Sequence, residues 1–209
     1  MTALRALSKG EQTRQRLLDL AEEAVVTKGF AATSIDELIA AAGITKSGFF
    51  YHFCDKNDLA KALIVRFLER DEAIYQELSA KAANLTEDPL EEFLIFLKLL
   101  ADMFQDLPNC HPGCLSATYA YQDTLFNADV RAVNVQAILA WRTRFRARLA
   151  DIAKKYPPKI PIDLDGLGDM VMVVADGGIV MSKGLRQPSL LPQQVLVFRS
   201  LVRMLFQGA

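Results

Sequence analysis

Apolar residues recur at steps of three and four along most of the chain, which is the period of an α-helix that buries one face. The stripe of Leu17, Leu18, Ala21 and Val25 marks a first helix, and Gly29 is placed to end it. Similar stripes follow as far as the C-terminus, and no segment reads as a strand hairpin. The sequence therefore predicts an all-α protein with about nine helices.

The limits of these helices follow from the apolar stripes and from the proline, glycine and capping residues around them. In chain order they are 17–28, 35–42, 46–53, 55–78, 89–104, 114–126, 138–152, 164–183 and 192–205. At about 1.5 Å per residue, the fourth helix reaches roughly 36 Å. Its two apolar sides indicate that it links two regions. Only the apolar run 171–174 is too short to show whether its period is that of a helix or of a strand.

Two short predicted helices with a tight turn between them lie near the N-terminus. Gly43 occupies the turn, where positive φ is needed, and Thr45 is placed to cap the second helix. These are the dimensions of a helix-turn-helix, whose second helix fits the roughly 12 Å wide major groove of B-DNA. Its outer face would be supplied by Lys46, Ser47, Gly48 and Tyr51, while Phe49 and Phe53 suit a three-helix core.

Composition and charge narrow the class of protein. The chain has 209 residues, 51% hydrophobic and 23% charged, and a net charge of -1, so a DNA interpretation depends on geometry and not on overall charge. No stretch approaches the about 18 apolar residues of a membrane span, and the N-terminus lacks the apolar core of a signal peptide. With three cysteines, we expect a protein of the reducing cytoplasm.

Four groups of residues stand in a characteristic order within residues 29–59. They are Thr33-Ser34-Ile35, Ala41-Ala42-Gly43-Ile44-Thr45-Lys46, Tyr51-His52-Phe53 and Lys56-x-Asp58-Leu59. In order and spacing they resemble the N-terminal DNA-binding region of TetR-family transcriptional regulators, over roughly residues 11–60. One position departs from the family, which usually has a tyrosine where Phe50 stands. Whether Tyr51 replaces that hydroxyl is left open.

The resemblance implies a helix-turn-helix DNA-binding domain at residues 1–58, with a basic N-terminal arm, and a helical effector-binding and dimerisation domain at residues 59–209. It implies a homodimeric repressor that leaves a near-palindromic operator in double-stranded DNA when a small-molecule effector binds. It implies no metal, no cofactor and no enzymatic activity. The DNA-contacting residues that it implies are Thr33, Ser34, Thr45, Lys46, Ser47, Gly48, Phe49, Tyr51, His52 and Lys56.

The resemblance also implies a division of roles among these residues. Thr33 and Ser34 would offer groups at a helix N-terminus to phosphate. Residues 45–49 would face the bases, and Tyr51, His52 and Lys56 would hold the DNA backbone.

The second region supplies residues for an effector pocket and for a dimer interface. The pocket residues that the family architecture implies are Leu68, Tyr75, Phe104, Tyr119, Tyr121, Trp141, Phe145, Met170 and Met172. Their mostly apolar character suits a small amphipathic or aromatic effector, although the same stripes also suit an ordinary core. Adjacent glycines in the eighth helix cost about 1 kcal/mol each and favour close backbone approach, between subunits or within one chain. The predicted interface residues are Gly177, Gly178, Phe198, Leu201, Val202 and Leu205.

Two further segments have more than one interpretation. The basic residues Arg5, Lys9, Arg14 and Arg16 fit either a DNA-contacting arm or a solvated tail. The segment Cys110-His111-Pro112-Gly113-Cys114 fits a structural loop, a redox-sensitive thiol pair, or a metal or catalytic site. The alternatives for the whole chain are therefore a helical ligand-binding adaptor without DNA activity, a thiol-based redox-responsive regulator, or an enzyme that uses this segment.

Overall fold

The computed structural model describes residues 8–207, and within that range it contains nine α-helices, one short 3-10 helix and no strand. The α-helices are α1 Lys9–Lys28, α2 Ile35–Ala42, α3 Lys46–His52, α4 Lys56–Ala83, α5 Pro89–Gln105, α6 Leu115–Tyr121, α7 Ala128–Lys155, α8 Leu164–Leu185 and α9 Leu190–Gln207. The 3-10 helix is Asp123–Leu125, between α6 and α7. The predicted all-α fold is confirmed.

Polar side chains fix where several helices begin, because each accepts a backbone N–H that the first turn leaves without a partner. These N-caps are Ser8, Ser34, Thr45, Asp88 and Asp163. Thr45 is the cap that the sequence predicted for α3. At the other end of α2, Gly43 adopts a left-handed conformation with φ +66°, which closes the helix and turns the chain.

The segment from 114 to 126 is not the single helix that the sequence predicts. Its helix α6 ends at Tyr121, and Gln122 leaves helical geometry with φ -121° and ψ 28°. The Gln122 side chain accepts the backbone N–H of Phe30 at 2.9 Å, and Phe126 packs its ring 4.6 Å from that of Phe30. The chain bends here because both contacts fasten it to the end of α1. The run 171–174 lies inside α8 and is helical.

The described residues pack as two units, and α4 and α7 each contribute to both. The first unit comprises residues 8–68 and 115–135. Its core is built from α1, α2, α3 and the first turns of α4, together with Tyr119 and Phe126. The first unit therefore extends past the predicted limit at residue 58, because the first turns of α4 and residues 115–135 pack with α1, α2 and α3. The assignment of functions to residues 1–58 and 59–209 stays a prediction.

The second unit comprises residues 69–114 and 136–207. Its core centres on α5, where Phe93 and Phe96 are fully buried against Phe145 of α7. Helix α9 packs on both α5 and α8. Gly178 allows the close approach of α8 to the start of α9, because a Cβ there would lie 2.8 Å from Leu191 Cδ1 and 3.2 Å from Leu191 Cα.

This packing corrects part of the predicted dimer interface. Gly178, Phe198, Val202 and Leu205 are buried within a single chain, so they are core residues and do not lie on an outer surface. The sequence predicts that the apolar stripe of α9 packs against a second subunit, whereas α5 and α8 of the same chain cover it. The sequence does not show which helices cover a stripe. Leu201 is half-buried and Gly177 is exposed.

Candidate nucleic-acid interface

The turn between α2 and α3 is held by short-range hydrogen bonds. The backbone N–H of Ile44 donates to Ile39 O at 3.2 Å, immediately after the left-handed Gly43. Thr45 Oγ1 then accepts the backbone N–H of Gly48 at 3.1 Å and lies 3.0 Å from Ser47 Oγ. This capping sets the direction of α3 at its first residue.

The outer face of α3 is rich in polar and aromatic groups. Thr45, Lys46, Ser47, Phe50 and Tyr51 are exposed, and the Tyr51 side chain is 82% exposed. The helix carries a lysine and no carboxylate. An exposed face with one cation, two hydroxyls and a phenol has the donor groups that a DNA groove and its phosphates accept.

Two of the predicted DNA contacts are instead internal. Phe49 is fully buried in the first unit, where its ring lies 5.7 Å from that of Phe53. Thr33 is 1% exposed, and its hydroxyl donates to Gly29 O at 3.0 Å, so this residue ties the end of α1 to the start of α2. Ser34, the neighbouring N-cap, is exposed, and its contact with phosphate stays a prediction.

Lys56 has a different place from the one predicted. Its ammonium donates to Phe30 O at 2.7 Å and lies 4.3 Å from the centre of the Phe30 ring. Burial lowers the pKa of this lysine. Lys56 therefore braces the segment between α1 and α2 and is not a free cation on the outer surface. His52 is half-buried, and a Cβ on Gly10 of α1 would lie 3.9 Å from its ring.

The basic N-terminal residues are partly helical. Lys9, Arg14 and Arg16 lie in α1. Arg14 stacks 5.1 Å from the ring centre of Phe53, the residue that ends α3. Arg16 donates to Ala41 O of α2 at 3.2 Å, so the two arginines connect α1 to α3 and α2. These three residues are not a solvated tail. Arg5 lies outside the described residues.

Gln122 is a residue of this unit that sequence reasoning missed. Its side-chain oxygen accepts the backbone N–H groups of Phe30 at 2.9 Å and Ala31 at 3.4 Å, some 90 residues away in sequence. No local pattern marks such a contact, because it depends on where α6 ends.

The predicted pocket residues divide between the two units. In the second unit Phe145 contacts both Tyr75 and Trp141, with ring centres 6.0 Å apart for Tyr75–Phe145 and 5.3 Å for Trp141–Phe145. Phe104 and Met170 are half-buried against the same core, and Met172 is half-buried in α8.

Three of the predicted pocket residues belong to the first unit. Leu68 is half-buried there. Tyr119 is buried, and its hydroxyl donates to Ala60 O at 2.9 Å. Tyr121 is 86% exposed. Tyr119 is therefore a core residue, and Tyr121 is a surface residue. The sequence could not separate these tyrosines, because α6 is too short to show which face is covered.

Asp71 is a half-buried titratable group beside this aromatic cluster. The indole N–H of Trp141 donates to its carboxylate, and Arg144 stacks 3.9 Å from the Tyr75 ring centre while pairing with Glu72. Burial raises the pKa of Asp71 to about 6, although the Trp141 hydrogen bond and the Arg144 charge oppose the rise.

We expect Asp71→Asn to remove a pH dependence near 6. The folded-state pKa lies above the ordinary value of 3.8, so the protonated carboxyl favours the folded state. The free energy of unfolding therefore falls as the pH rises through about 6. Above that pH the variant should be more stable by about 2 kcal/mol, and the difference should vanish near pH 4. Trp141 fluorescence, titrated in both proteins, checks this. A wild-type midpoint that persists in the variant would assign the titration to another group.

Comparison with known proteins adds to this geometry. Residues 17–63 match the family model for bacterial regulatory proteins of the tetR family. The chain is 26% identical over 103 residues to the HTH-type transcriptional regulator TtgR of Pseudomonas putida, an alignment that covers 49% of this chain and 46% of TtgR. It is 22% identical to the uncharacterized HTH-type transcriptional regulator YxaF of Bacillus subtilis, over 84% of this chain and 86% of that protein. The chain thus aligns with about half the length of TtgR.

Solved structures share the fold over nearly the whole chain. A TetR-family regulator from Agrobacterium tumefaciens superposes with a TM-score of 0.77 at 17% identity, covering 95% of this chain and 100% of that one. One from Chloroflexus aurantiacus gives 0.76 at 21% identity, covering 96% and 98%. No helix within residues 8–207 is long and apolar enough to cross a membrane.

These relatives are transcriptional regulators and not enzymes. The capped turn, the matched N-terminal segment and the shared helical fold agree: residues 17–63 match the tetR family of bacterial regulatory proteins, and the chain has the fold of solved TetR-family regulators.

Proposed function

We propose that the protein is a homodimeric DNA-binding transcriptional repressor that a small-molecule effector releases from a near-palindromic operator. The observation that carries the proposal is the outer face of α3, where Lys46, Ser47 and Tyr51 are exposed on a helix that Thr45 caps and buried Phe49 anchors. A rigid base with exposed donors is what sequence readout in the major groove requires.

The residues of this face have separate roles in the proposal. Lys46 and Ser47 reach base edges, and Ser34 and Tyr51 hold phosphates, so that backbone contacts set the position of the helix and base contacts set the preferred sequence. Phe50, which is 43% exposed, contributes an apolar surface suited to thymine methyl groups. His52 and Lys56 position the helix through their contacts inside the unit.

Exposed apolar stripes on α8 and α9 support a dimer. On α8, Val173, Gly177, Val180 and Gly184 follow one another at i, i+4, i+7 and i+11, and a Cβ on either glycine would meet no atom of the chain within 4 Å. On α9, the corresponding stripe is Val197, Leu201 and Met204. Such apolar surface with open glycines suits close packing of helices from a second copy. The proposed interface thus keeps Gly177 and Leu201 from the sequence prediction and replaces the buried residues.

Release by an effector follows from linkage. If the effector prefers the conformation in which the two reading helices are wrongly spaced, it weakens operator binding by the same factor by which the operator weakens effector binding. The cluster of Tyr75, Trp141 and Phe145 in the second unit suits an aromatic or amphipathic molecule.

Selection of bound fragments from random duplex DNA tests the DNA-binding part. We expect an inverted repeat, because a two-fold dimer presents two copies of α3. Fusing the selected repeat upstream of a reporter and co-expressing the protein tests the sign of regulation, since a repressor lowers reporter output. Selection that enriches no sequence would contradict the proposal.

Substitutions of lysine test which surface binds. Lys46→Ala should weaken binding to the selected duplex by about 1–3 kcal/mol and relax the preference at one base position. Lys154→Ala is the matched control, because Lys154 is exposed at the end of α7 and pairs with Asp151. Fluorescence anisotropy at several salt concentrations measures both. Equal losses for the two variants would place the interface elsewhere.

Charge substitutions test the dimer. Val180 is 64% exposed, and Val180→Arg should raise the dimer dissociation constant at least about tenfold because it places an unpaired charge in an apolar interface. Leu85→Arg is the control, since Leu85 is equally apolar, 70% exposed and outside α8 and α9. Sedimentation velocity distinguishes monomer from dimer. A dimer unaffected by Val180→Arg would show that another surface associates.

A further inference from the structure

The loop between α5 and α6 places two thiols against α8. Cys110 and Cys114 are both half-buried thiols that lie outside any helix and in no disulfide. The Cys110 thiol donates to Ser182 O at 3.3 Å, and the Cys114 thiol donates to the carboxylate of Asp176. Both thiols and both of their acceptors belong to the second unit.

Other contacts also hold this loop. The Lys183 ammonium donates to Pro112 O, and the backbone N–H of Gly113 donates to His111 Nδ1 at 3.2 Å. One hydrogen bond from an ammonium and two from thiols thus join the loop to α8. Two of the three depend on reduced sulfur.

Two titratable side chains, those of His111 and Asp176, lie beside the thiols. His111 is half-buried with its ring 5.8 Å from that of Phe104, and burial, helped by the charges of Lys183 and Arg70, lowers its pKa. Its imidazole is therefore neutral near pH 7, with Nδ1 accepting the backbone N–H of Gly113. Burial raises the pKa of the Asp176 carboxyl, and its hydrogen bond from Cys114 opposes the rise.

We infer that Cys110 and Cys114 form a reversible disulfide when the protein meets a peroxide. The Cys110 thiolate attacks one peroxide oxygen, the O–O bond breaks, and a sulfenic acid forms with release of hydroxide, which takes up a proton to give water. The Cys114 thiol then attacks that sulfur, the S–S bond forms, and a second water leaves. Two thiols and one hydrogen peroxide thus give one disulfide and two waters.

The disulfide and the tethered loop exclude each other. The two anchors on α8, residues 176 and 182, are six residues and so about 9 Å apart along the helix axis, whereas a disulfide brings two Cα atoms within about 7 Å. The disulfide also has no S–H, so both hydrogen bonds to α8 are lost whatever path the loop takes. Oxidation therefore switches the loop between two arrangements.

The loop is directly followed by α6, which packs in the same unit as α2 and α3. Leu115 directly follows Cys114, begins α6 and is buried in the core of the first unit. Gln122, just after α6, holds the segment between α1 and α2. We therefore expect oxidation to weaken DNA binding, a consequence that rests on the proposed function, whereas the disulfide itself does not.

The experiment treats the full chain with equimolar hydrogen peroxide and maps the cysteines by mass spectrometry. Wild type and Cys54→Ser should both form a bond between Cys110 and Cys114, which dithiothreitol reverses. Cys54 is exposed and serves as the internal control for general thiol oxidation. Cys110→Ser and Cys114→Ser should form no internal disulfide. Persistence of free thiols at 110 and 114 after Cys54 has reacted would overturn the inference.

DNA binding is measured in the same samples with the duplex selected by the reduced protein. Oxidation should lower the affinity of wild type and Cys54→Ser about tenfold or more, and should leave Cys114→Ser unchanged. A mapped disulfide with unchanged affinity would overturn the regulatory part alone. If the reduced protein selects no duplex, the proposed function fails, while the mapping still decides the disulfide.

Discussion

Replacing Phe49 by alanine is expected to destabilise the first unit by about 3–5 kcal/mol, the cost of removing a buried phenylalanine and leaving a cavity. Phe49 is fully buried, with rings of Phe50 and Phe53 at 5.4 and 5.7 Å. The loss should abolish DNA binding as well, because α3 then has no anchor.

Phe50→Ala is the matched control for that change. Phe50 is the adjacent residue on the same helix, and its ring is exposed, so its removal should cost less than about 1.5 kcal/mol of stability. It should still weaken DNA binding if Phe50 contacts the groove. Urea unfolding followed by circular dichroism measures both variants. Tryptophan fluorescence does not serve, since the single tryptophan, Trp141, lies in the second unit. Equal stability of the two variants would contradict the burial of Phe49.

Gly178→Val is expected to destabilise the second unit by about 2–3 kcal/mol through overpacking. The new Cβ would lie 2.8 Å from Leu191 Cδ1, which a side-chain rotation relieves, and 3.2 Å from Leu191 Cα, which requires the backbone of α9 to move. The added methyl groups increase the conflict. The loss belongs to a single subunit, so it should be the same at every protein concentration.

Gly177→Val makes the same chemical change one residue earlier. No atom of the chain lies within 4 Å of a Cβ there, so the fold of the subunit should tolerate it. If Gly177 faces a second copy, the variant should instead lose the part of its stability that increases with protein concentration. Urea unfolding followed by Trp141 fluorescence at two concentrations separates these outcomes. A concentration-dependent loss for Gly178→Val, and none for Gly177→Val, would reverse the assignment of the two faces.

Much of the structure of α2, α3 and the turn between them follows from local sequence. The cap at Thr45, the left-handed glycine at 43 and the helices on either side depend on neighbouring residues, so short-range chemistry predicts them. The place of Lys56 does not follow in this way, whereas the Thr33 hydrogen bond spans only four residues. Both bond to backbone oxygens near the end of α1, of Gly29 and of Phe30, and the Lys56 contact spans 26 residues.

The sequence by itself determined the helical class, the position of the turn and the exposed face of α3, because periodicity and capping act over a few residues. Only the tertiary structure decided which apolar stripe is core and which is surface. Helix α9 shows the reason: Phe198 and Val202 are covered by other helices of the same chain, whereas Val197 and Met204 are not. A stripe records that a face is apolar, but the partner that covers it depends on contacts between residues distant in sequence.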